Sequence, residues 1–411
     1  MQSPEDQRAA DARLQPFASR NGFLLGGLTA VITALFVSLV LLVSFILTLQ
    51  QGQTAMSIDF RVFWAAGQLA LDGEPLAAFD LTRLAEVHQT HAETYLPWLY
   101  PPGFLVIVTP LGALSFPLAF SLWTVVSLGL VAWAFRPFVA GIVPLWLVVS
   151  LAPAFYPGLL LGQNSLLLLA GLLAALAALR AERWVLAGIF IGLLTLKPQL
   201  GIMIPFALLA IRAWRTIFAA IGTTVVISAL PTLLYGLDYW PLLIAGMADH
   251  SATMLQSIDG MKWMISLVYG LTLLGVDTGL ALKVQLAITV ACAAAVYALW
   301  RSDRVGFDVK AAGLLLAVLL SAPYLWSYEG ALMAAVALFL LRGGILTTRP
   351  AHLCLAGLLW TGAALQTLNL FVKVIDARWL GAAIIPPLLF FCFALCLRQI
   401  IRPQPHHLKP A

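Results

Sequence analysis

Between Phe23 and Leu49 the chain carries no charged residue. This run of 27 residues is longer than the roughly 7–15 residue core of a signal peptide. It also exceeds the ~20 residues needed to cross a hydrocarbon layer, so it predicts an uncleaved first membrane helix. The rest of the sequence continues in the same manner. Only 10% of the 411 residues are charged, 62% are hydrophobic, and the mean hydropathy is +0.96. Soluble domains carry about 25% charged residues, and a particle of this size cannot coat itself for water with so few. A cytosolic enzyme, a secreted disulfide scaffold and a nucleic-acid binder are excluded on this ground, which leaves a polytopic membrane protein. The four cysteines, Cys292, Cys354, Cys392 and Cys396, all stand inside apolar runs and read as small buried hydrophobes.

Further spans are predicted over 117–135, 138–156, 163–180, 184–196, 198–211, 217–235, 280–300, 311–323, 328–341, 352–371 and 379–397. Several are shorter than a full crossing, which is tolerable only where protein or a water-filled cavity covers their ends. If the apolar pieces 102–114 and 264–276 dip in and return, the chain crosses about twelve times. Residues 1–22 and 398–411 are then cytoplasmic tails, and 23–397 is one membrane-embedded domain with a first outer loop over 50–100. Arg136, Arg180, Arg183, Arg212, Arg215, Arg301, Arg304, Lys310, Arg342 and Arg349 then share the cytoplasmic side, as the positive-inside rule requires. Most carboxylates fall on the outer side, among them Asp59, Asp72, Glu74, Asp80, Glu86, Asp238, Asp249, Asp277 and Glu329. The polar chemistry is therefore expected at the extracytoplasmic interface. No G-x-x-x-x-G-K-S/T or G-x-G-x-x-G element occurs in the short cytoplasmic turns, which argues against a cytoplasmic nucleotide sugar as substrate.

Within the first outer loop, Phe60, Phe63, Trp64, Gly67 and Leu71 recur at helical spacing and predict a helix lying along the membrane surface. Asp72–Gly73–Glu74–Pro75 closes it. A second amphipathic helix is predicted from Asp80, as N-cap, to about Glu93. Asp59 has two readings. It is the N-cap of the first helix, paired with Arg61, or it is an acid beside an apolar cavity that takes a proton from a hydroxyl. His88 and His91 are three apart without a third ligand nearby and read as a solvated face rather than a zinc pair.

Two polar positions stand out in the apolar region. Lys197 lies between two apolar halves and is followed by Pro198 and Gln199. A lysine at membrane depth is costly; placed at a helix break, it can hold a phosphate as a point charge or snorkel to the interface. Gln163 and Asn164, at another outer helix start, favour the first reading. Ser321–Ala322–Pro323–Tyr324–Leu325–Trp326–Ser327–Tyr328–Glu329 forms a third outer cluster. Its aromatics fit an interface belt, while Glu329 reads equally as a helix-start charge or a sugar-hydroxyl acceptor.

These segments occur in a particular order: I-D-F-R-V-F-W-A-A-G (58–67), D-G-E-P-L-A-A-F-D (72–80), Y-P-P-G (100–103), L-G-Q-N-S (161–165), L-K-P-Q-L (196–200) and A-P-Y-L-W-S-Y-E (322–329). In that order the chain resembles glycosyltransferase family 87, the polyprenol-phosphate-mannose-dependent mannosyltransferases of GT-C type, from about residue 23 to about residue 345. The resemblance implies an all-α polytopic fold, a GT-C-like bundle of about twelve transmembrane helices with amphipathic juxtamembrane helices in the first outer loop. It implies transfer of a hexose such as mannose from a polyprenyl-phosphate donor to a lipid or glycan acceptor, with inversion. The active site would lie on the extracytoplasmic side of the plasma (inner) membrane, with no cofactor, no metal and no nucleic-acid partner.

By resemblance Asp59 is the general base, and Lys197, with Arg61 and Gln199, binds the donor phosphate. Tyr100, Gln163, Asn164, Tyr324, Tyr328 and Glu329 are the substrate-binding candidates. Where many members carry a histidine in a late S-P-x-x-W-x-H segment, this chain reads S-A-P-Y-L-W-S-Y-E, with Tyr328 or Glu329 in its place. A transporter or flippase of a lipid-linked glycan is the rival class; the inverted repeats that would mark it are not found.

Overall fold

The computed structural model describes residues 4–49, 58–88, 96–256, 263–367 and 378–401. The described chain is helical, with no strand and one isolated antiparallel bridge, Met264 to Trp326. In chain order the helices are α1 (Pro4–Ala12), α2 (Arg20–Leu49), α3 (Ile58–Leu71), α4 (Leu81–His88), α5 (Pro102–Gly112), α6 (Phe116–Phe135), α7 (Val143–Ser150), α8 (Tyr156–Leu161), α9 (Ser165–Arg180) and α10 (Trp184–Leu193). There follow α11 (Ile204–Ala210), α12 (Trp214–Tyr235), α13 (Tyr239–Gln256), α14 (Leu267–Leu273), α15 (Thr278–Arg301), α16 (Phe307–Ser321), α17 (Leu332–Arg342), α18 (Pro350–Thr361) and α19 (Arg378–Ile401). Short 3-10 turns join several of them.

Among the described residues, six helical segments are long and apolar enough to cross a membrane: Arg20–Leu42, Phe116–Phe138, Val143–Leu161, Trp214–Tyr235, Thr278–Arg301 and Gly381–Ile401. Their flanks carry the exposed large hydrophobics, such as Phe23, Phe218, Leu233 and Val290, as a lipid-facing surface should. The chain is thus a multi-pass membrane protein. The predicted spans 311–323 and 328–341 correspond to α16 and α17, and these are buried nearly all round. Helices that are apolar on every face belong inside a bundle; with α9, α11, α15 and α19 these two build the main core. The dipping pieces 102–114 and 264–276 hold α5 and α14, of 11 and 7 residues, each well short of a crossing.

Two predictions shift. The span predicted at 138–156 begins instead at Val143, because Ala140 and Gly141 both take left-handed backbone (φ 52° and 72°) and end the helical path. Helix α13 was not foreseen from the hydropathy runs, since Asp249, His250 and Gln256 interrupt its apolar face. The predicted span 352–371 is cut at Thr361 by Gly362, and its last residues lie outside the described ones.

Residues 4–19 do not trail as a free tail. Leu14 is fully buried in the main core, and Asp11 Oδ1 accepts from Arg342 Nη1 at 2.7 Å. Buried Arg342 also donates to Asp308 Oδ1 at 2.8 Å and to the Phe138 carbonyl at 2.8 Å. These bonds tie the N-terminal segment to α16, α17 and the turn after α6. Helices α10 and α12 pack at Gly188 and Gly192, where an added Cβ would meet Ala219 and Thr223 at 2.5 Å. Small residues four apart allow this close backbone approach, and α10 leads directly to Lys197.

Candidate active site

Helix α3 places Asp59 in its first turn. Its neighbour Phe60 is fully buried, with Phe116, Phe120 and Trp123 rings 5.4–5.8 Å away. Such tilted aromatic pairs fix a helix in one rotation about its axis. Gly162, with φ 72°, ends α8 in left-handed backbone and turns the chain into α9. A Cβ there would collide with Phe60, and with Phe120 at 2.9 Å. Only glycine lets the 162–164 turn lie this close to α3.

That turn delivers Gln163, whose Nε2 donates to Asp59 Oδ2 at 2.9 Å. Gln163 Oε1 accepts from the Asn164 N–H at 3.1 Å and, more weakly, from Tyr100 OH at 3.5 Å. The amide is thereby oriented, donor toward the carboxylate and acceptor toward the N–H. Asp59 Oδ1 keeps a free lone pair. The residue is half-buried. Burial lifts its carboxyl from the usual range to about 6, opposed by the Gln163 hydrogen bond and by the charge of Lys197. The Tyr100 phenol is pushed up by burial and by Asp59.

Lys197 stands in extended backbone between two 3-10 turns, Leu194–Leu196 and Pro198–Leu200. It is only 5% exposed. Its Nζ lies 3.0 Å from Glu329 Oε1 and 4.7 Å from the centre of the Tyr328 ring. The Glu329 contact is a buried ion pair, and it can occupy only one or two of the three N–H donors of the ammonium. Glu329, 1% exposed, uses its other oxygen to accept the Trp326 N–H at 3.0 Å. Of the two readings the sequence left open, it takes the helix-start role, and its other oxygen pairs with Lys197, a role the sequence did not suggest. The 325–327 strip is held by Ile265 N–H to the Leu325 carbonyl and Ser327 N–H to the Trp263 carbonyl, both at 2.8 Å. Tyr328 is buried and lies within the fields of Asp59 and Glu329.

The structure thus brings Asp59, Tyr100, Gln163, Asn164, Lys197, Tyr328 and Glu329 into one neighbourhood. Arg61 is turned away. Its guanidinium stacks on Phe116 at 4.6 Å and donates to the His88 carbonyl at 3.2 Å, and burial lowers its pKa. It makes no ion pair with Asp59. Gln199 is exposed. Tyr324 packs instead with Met254, Met264 and Tyr269. His88 is buried rather than on a solvated face, and burial with the nearby Arg61 pulls it to about 4; His91 lies outside the described residues. Asp80 caps α4 as expected, accepting from the Thr82 and Arg83 N–H groups at 2.9 and 3.2 Å. The Lys197–Glu329 pair and the unpartnered Ser165 were not anticipated from sequence.

A half-buried carboxylate within the field of a buried lysine, in a multi-pass helical protein, is a pair of groups suited to group transfer. The family model of glycosyltransferase family 87 matches residues 98–323, more than half of the chain. The chain belongs to that family and is a membrane glycosyltransferase. No curated protein and no solved structure matches it. The family match contains Tyr100, Gln163, Asn164 and Lys197; Asp59 and Glu329 lie beyond its two ends and join it only in space.

Proposed function

We propose that the protein transfers a hexose such as mannose from a polyprenyl-phosphate donor to a lipid or glycan acceptor, with inversion. The reaction takes place on the extracytoplasmic face of the plasma membrane, in a single membrane-embedded domain over 23–397 that crosses about twelve times. The observation that carries this reading is Asp59, a half-buried carboxylate held by Gln163, within the field of Lys197, with a pKa raised by burial to about 6. A base of this strength is half-ionised near pH 6 and largely ionised at neutral pH, in the form that accepts a proton.

In the proposed step Asp59 Oδ1 takes the proton of an acceptor hydroxyl. The hydroxyl oxygen bonds to the anomeric carbon while the bond from that carbon to the phosphate oxygen breaks. The electron pair leaves with polyprenyl phosphate, which gains a negative charge. Lys197 stabilises that charge with donors not committed to Glu329. In a low-dielectric site such a preorganised cation acts far more strongly than in water. Arg61, held against Phe116 and the His88 carbonyl, is not placed for this role, while exposed Gln199, two residues on from Lys197, remains a candidate for the donor phosphate.

The test is transfer of radiolabel from polyprenyl-phosphate hexoses in membranes containing the protein, followed by analysis of the labelled product. Labelled glycolipid or glycan from this donor class is expected. Label moving only from nucleotide sugars would overturn the donor assignment.

A further inference from the structure

The two partners of the buried ion pair are not equally fixed. Glu329 Oε2 accepts from the Trp326 N–H at 3.0 Å, and the strip around Trp326 is pinned to residues 263 and 265 by backbone hydrogen bonds. Lys197 ends in an ammonium on a flexible four-carbon stem. The carboxylate therefore decides where the ammonium rests, 3.0 Å from Oε1 and over the face of the Tyr328 ring. With both partners no more than 5% exposed, the attraction between them is far stronger than in water.

A second carboxylate is at hand. The charge of Lys197 acts on Asp59, and the phenols of Tyr100 and Tyr328 each lie in the fields of both Asp59 and Glu329. Of the two carboxylates, Glu329 holds the ion pair. A buried cation deprived of its partner is costly, and an ammonium released by Glu329 would turn to Asp59. That contact would occupy the oxygen that Gln163 leaves open and make the carboxylate a weaker base. The proposed reaction, on which this inference rests, needs the reverse: an open carboxylate for the acceptor hydroxyl and a cation kept for the phosphate. We propose that Glu329 is a positioning residue, which holds Lys197 off Asp59 and so keeps the base and the phosphate-binding cation as two separate groups. With both its oxygens engaged, Glu329 acts through Lys197 and not on the sugar. The other groups facing Asp59 are the Gln163 amide and the phenols of Tyr100 and Tyr328, all neutral near pH 6. Arg61, on the same helix as Asp59, is held against Phe116 and the His88 carbonyl.

The experiment titrates Asp59 in the purified full chain. It follows the infrared carbonyl stretch of the protonated carboxyl, assigned in each background by its loss in Asp59→Asn. Wild type should titrate at about 6. Glu329→Gln keeps an acceptor for the Trp326 N–H and removes the charge; with Lys197 turned to it, Asp59 should titrate at about 5 or below. When Glu329→Gln is combined with Lys197→Gln the drop should vanish, because no ammonium is left to move. No drop in Glu329→Gln would overturn the proposal. A rise would also overturn it, since Lys197 would then lose its proton without Glu329 rather than move. An equal drop in the double variant would overturn it too, by assigning the effect to the field of Glu329 itself. Transfer at neutral pH should fall about tenfold or more in Glu329→Gln, and full transfer despite the drop would contradict the positioning role. Should Glu329→Gln fail to fold, Glu329→Asp decides in its place. It keeps the charge but withdraws it by one methylene, so Asp59 should titrate below wild type, and an unchanged value would overturn the proposal. The titration needs no donor, so wild type that transfers nothing from polyprenyl-phosphate sugars would remove the donor class and leave the titration to judge the pair.

Discussion

Asp59 differs from the other carboxylates in its surroundings rather than in its chemistry. Burial raises its pKa while the Gln163 amide and Lys197 hold it down, with a balance near 6. Only the ionised form accepts a proton, so transfer should fall as pH drops through about 6 and level off above it. In Gln163→Leu the stabilising hydrogen bond is lost, the pKa rises, and the limb should move to higher pH. The pH profile of kcat/KM reads this directly; a limb that stays in place would dissociate it from Asp59. Lys197→Gln should lower both donor affinity and turnover, and Lys197→Arg should rescue only in part, since a flat fork replaces a point charge. Initial rates against donor concentration decide, and donor kinetics unchanged in Lys197→Gln would mean a merely snorkelling lysine. Lys197 was legible in the sequence as a charge in an apolar context, whereas Asp59, in the polar first outer loop, stood out only through the family resemblance. Their partners were not legible. The Lys197–Glu329 pair joins positions far apart in the chain, and no periodicity links them. Arg61 misleads for the converse reason. Two residues along a helix is about 200° of rotation, so closeness in sequence to Asp59 becomes separation in space.

At the level of elements, the site depends on backbone breaks. The 3-10 turns on both sides of Lys197 and the left-handed Gly162 put its parts where continuous helices would not. Pro198 made the first break readable. The second rests on a close approach to Phe60, which is tertiary information. Gly162→Ala should be severely disruptive. It forces left-handed backbone on an alanine, at roughly 1–2 kcal/mol, and drives a methyl group into the Phe60 side chain. A lowered Tm in detergent together with lost transfer is expected; a Tm within a degree of wild type would show that α3 and the 162–164 turn can separate. Caps and apolar runs foretold most helices. Helix α13 escaped because its polar residues break the hydropathy without breaking the helix, and the start at Val143 was set by two consecutive left-handed residues that sequence did not signal.

For the whole molecule, the distribution of charge makes a topological claim. The turn after α3 holds Asp72 and the turn after α9 holds Arg183, both exposed. With exposed Cys354 replaced by serine, Asp72→Cys in cells should react with a membrane-impermeant thiol reagent. Arg183→Cys should react only after permeabilisation, because the positive-inside rule puts it in the cytoplasm. The reverse pattern would place the candidate site on the cytoplasmic face. The multi-pass class was readable from charge scarcity alone. The arrangement of the candidate site was not, since α3, the 162–164 turn, Lys197 and the 325–329 strip meet only on folding. The most direct test of the account is transfer by the purified protein in liposomes, wild type against Asp59→Asn, with donor binding measured alongside. The asparagine keeps the shape and the place of the carboxylate but accepts no proton. We expect wild type to move the labelled sugar from polyprenyl phosphate, and Asp59→Asn to bind the donor while transferring at least about 10²–10⁴-fold more slowly. Transfer by Asp59→Asn within a few-fold of wild type would contradict the account and leave Asp59 as no more than a structural residue at a helix start.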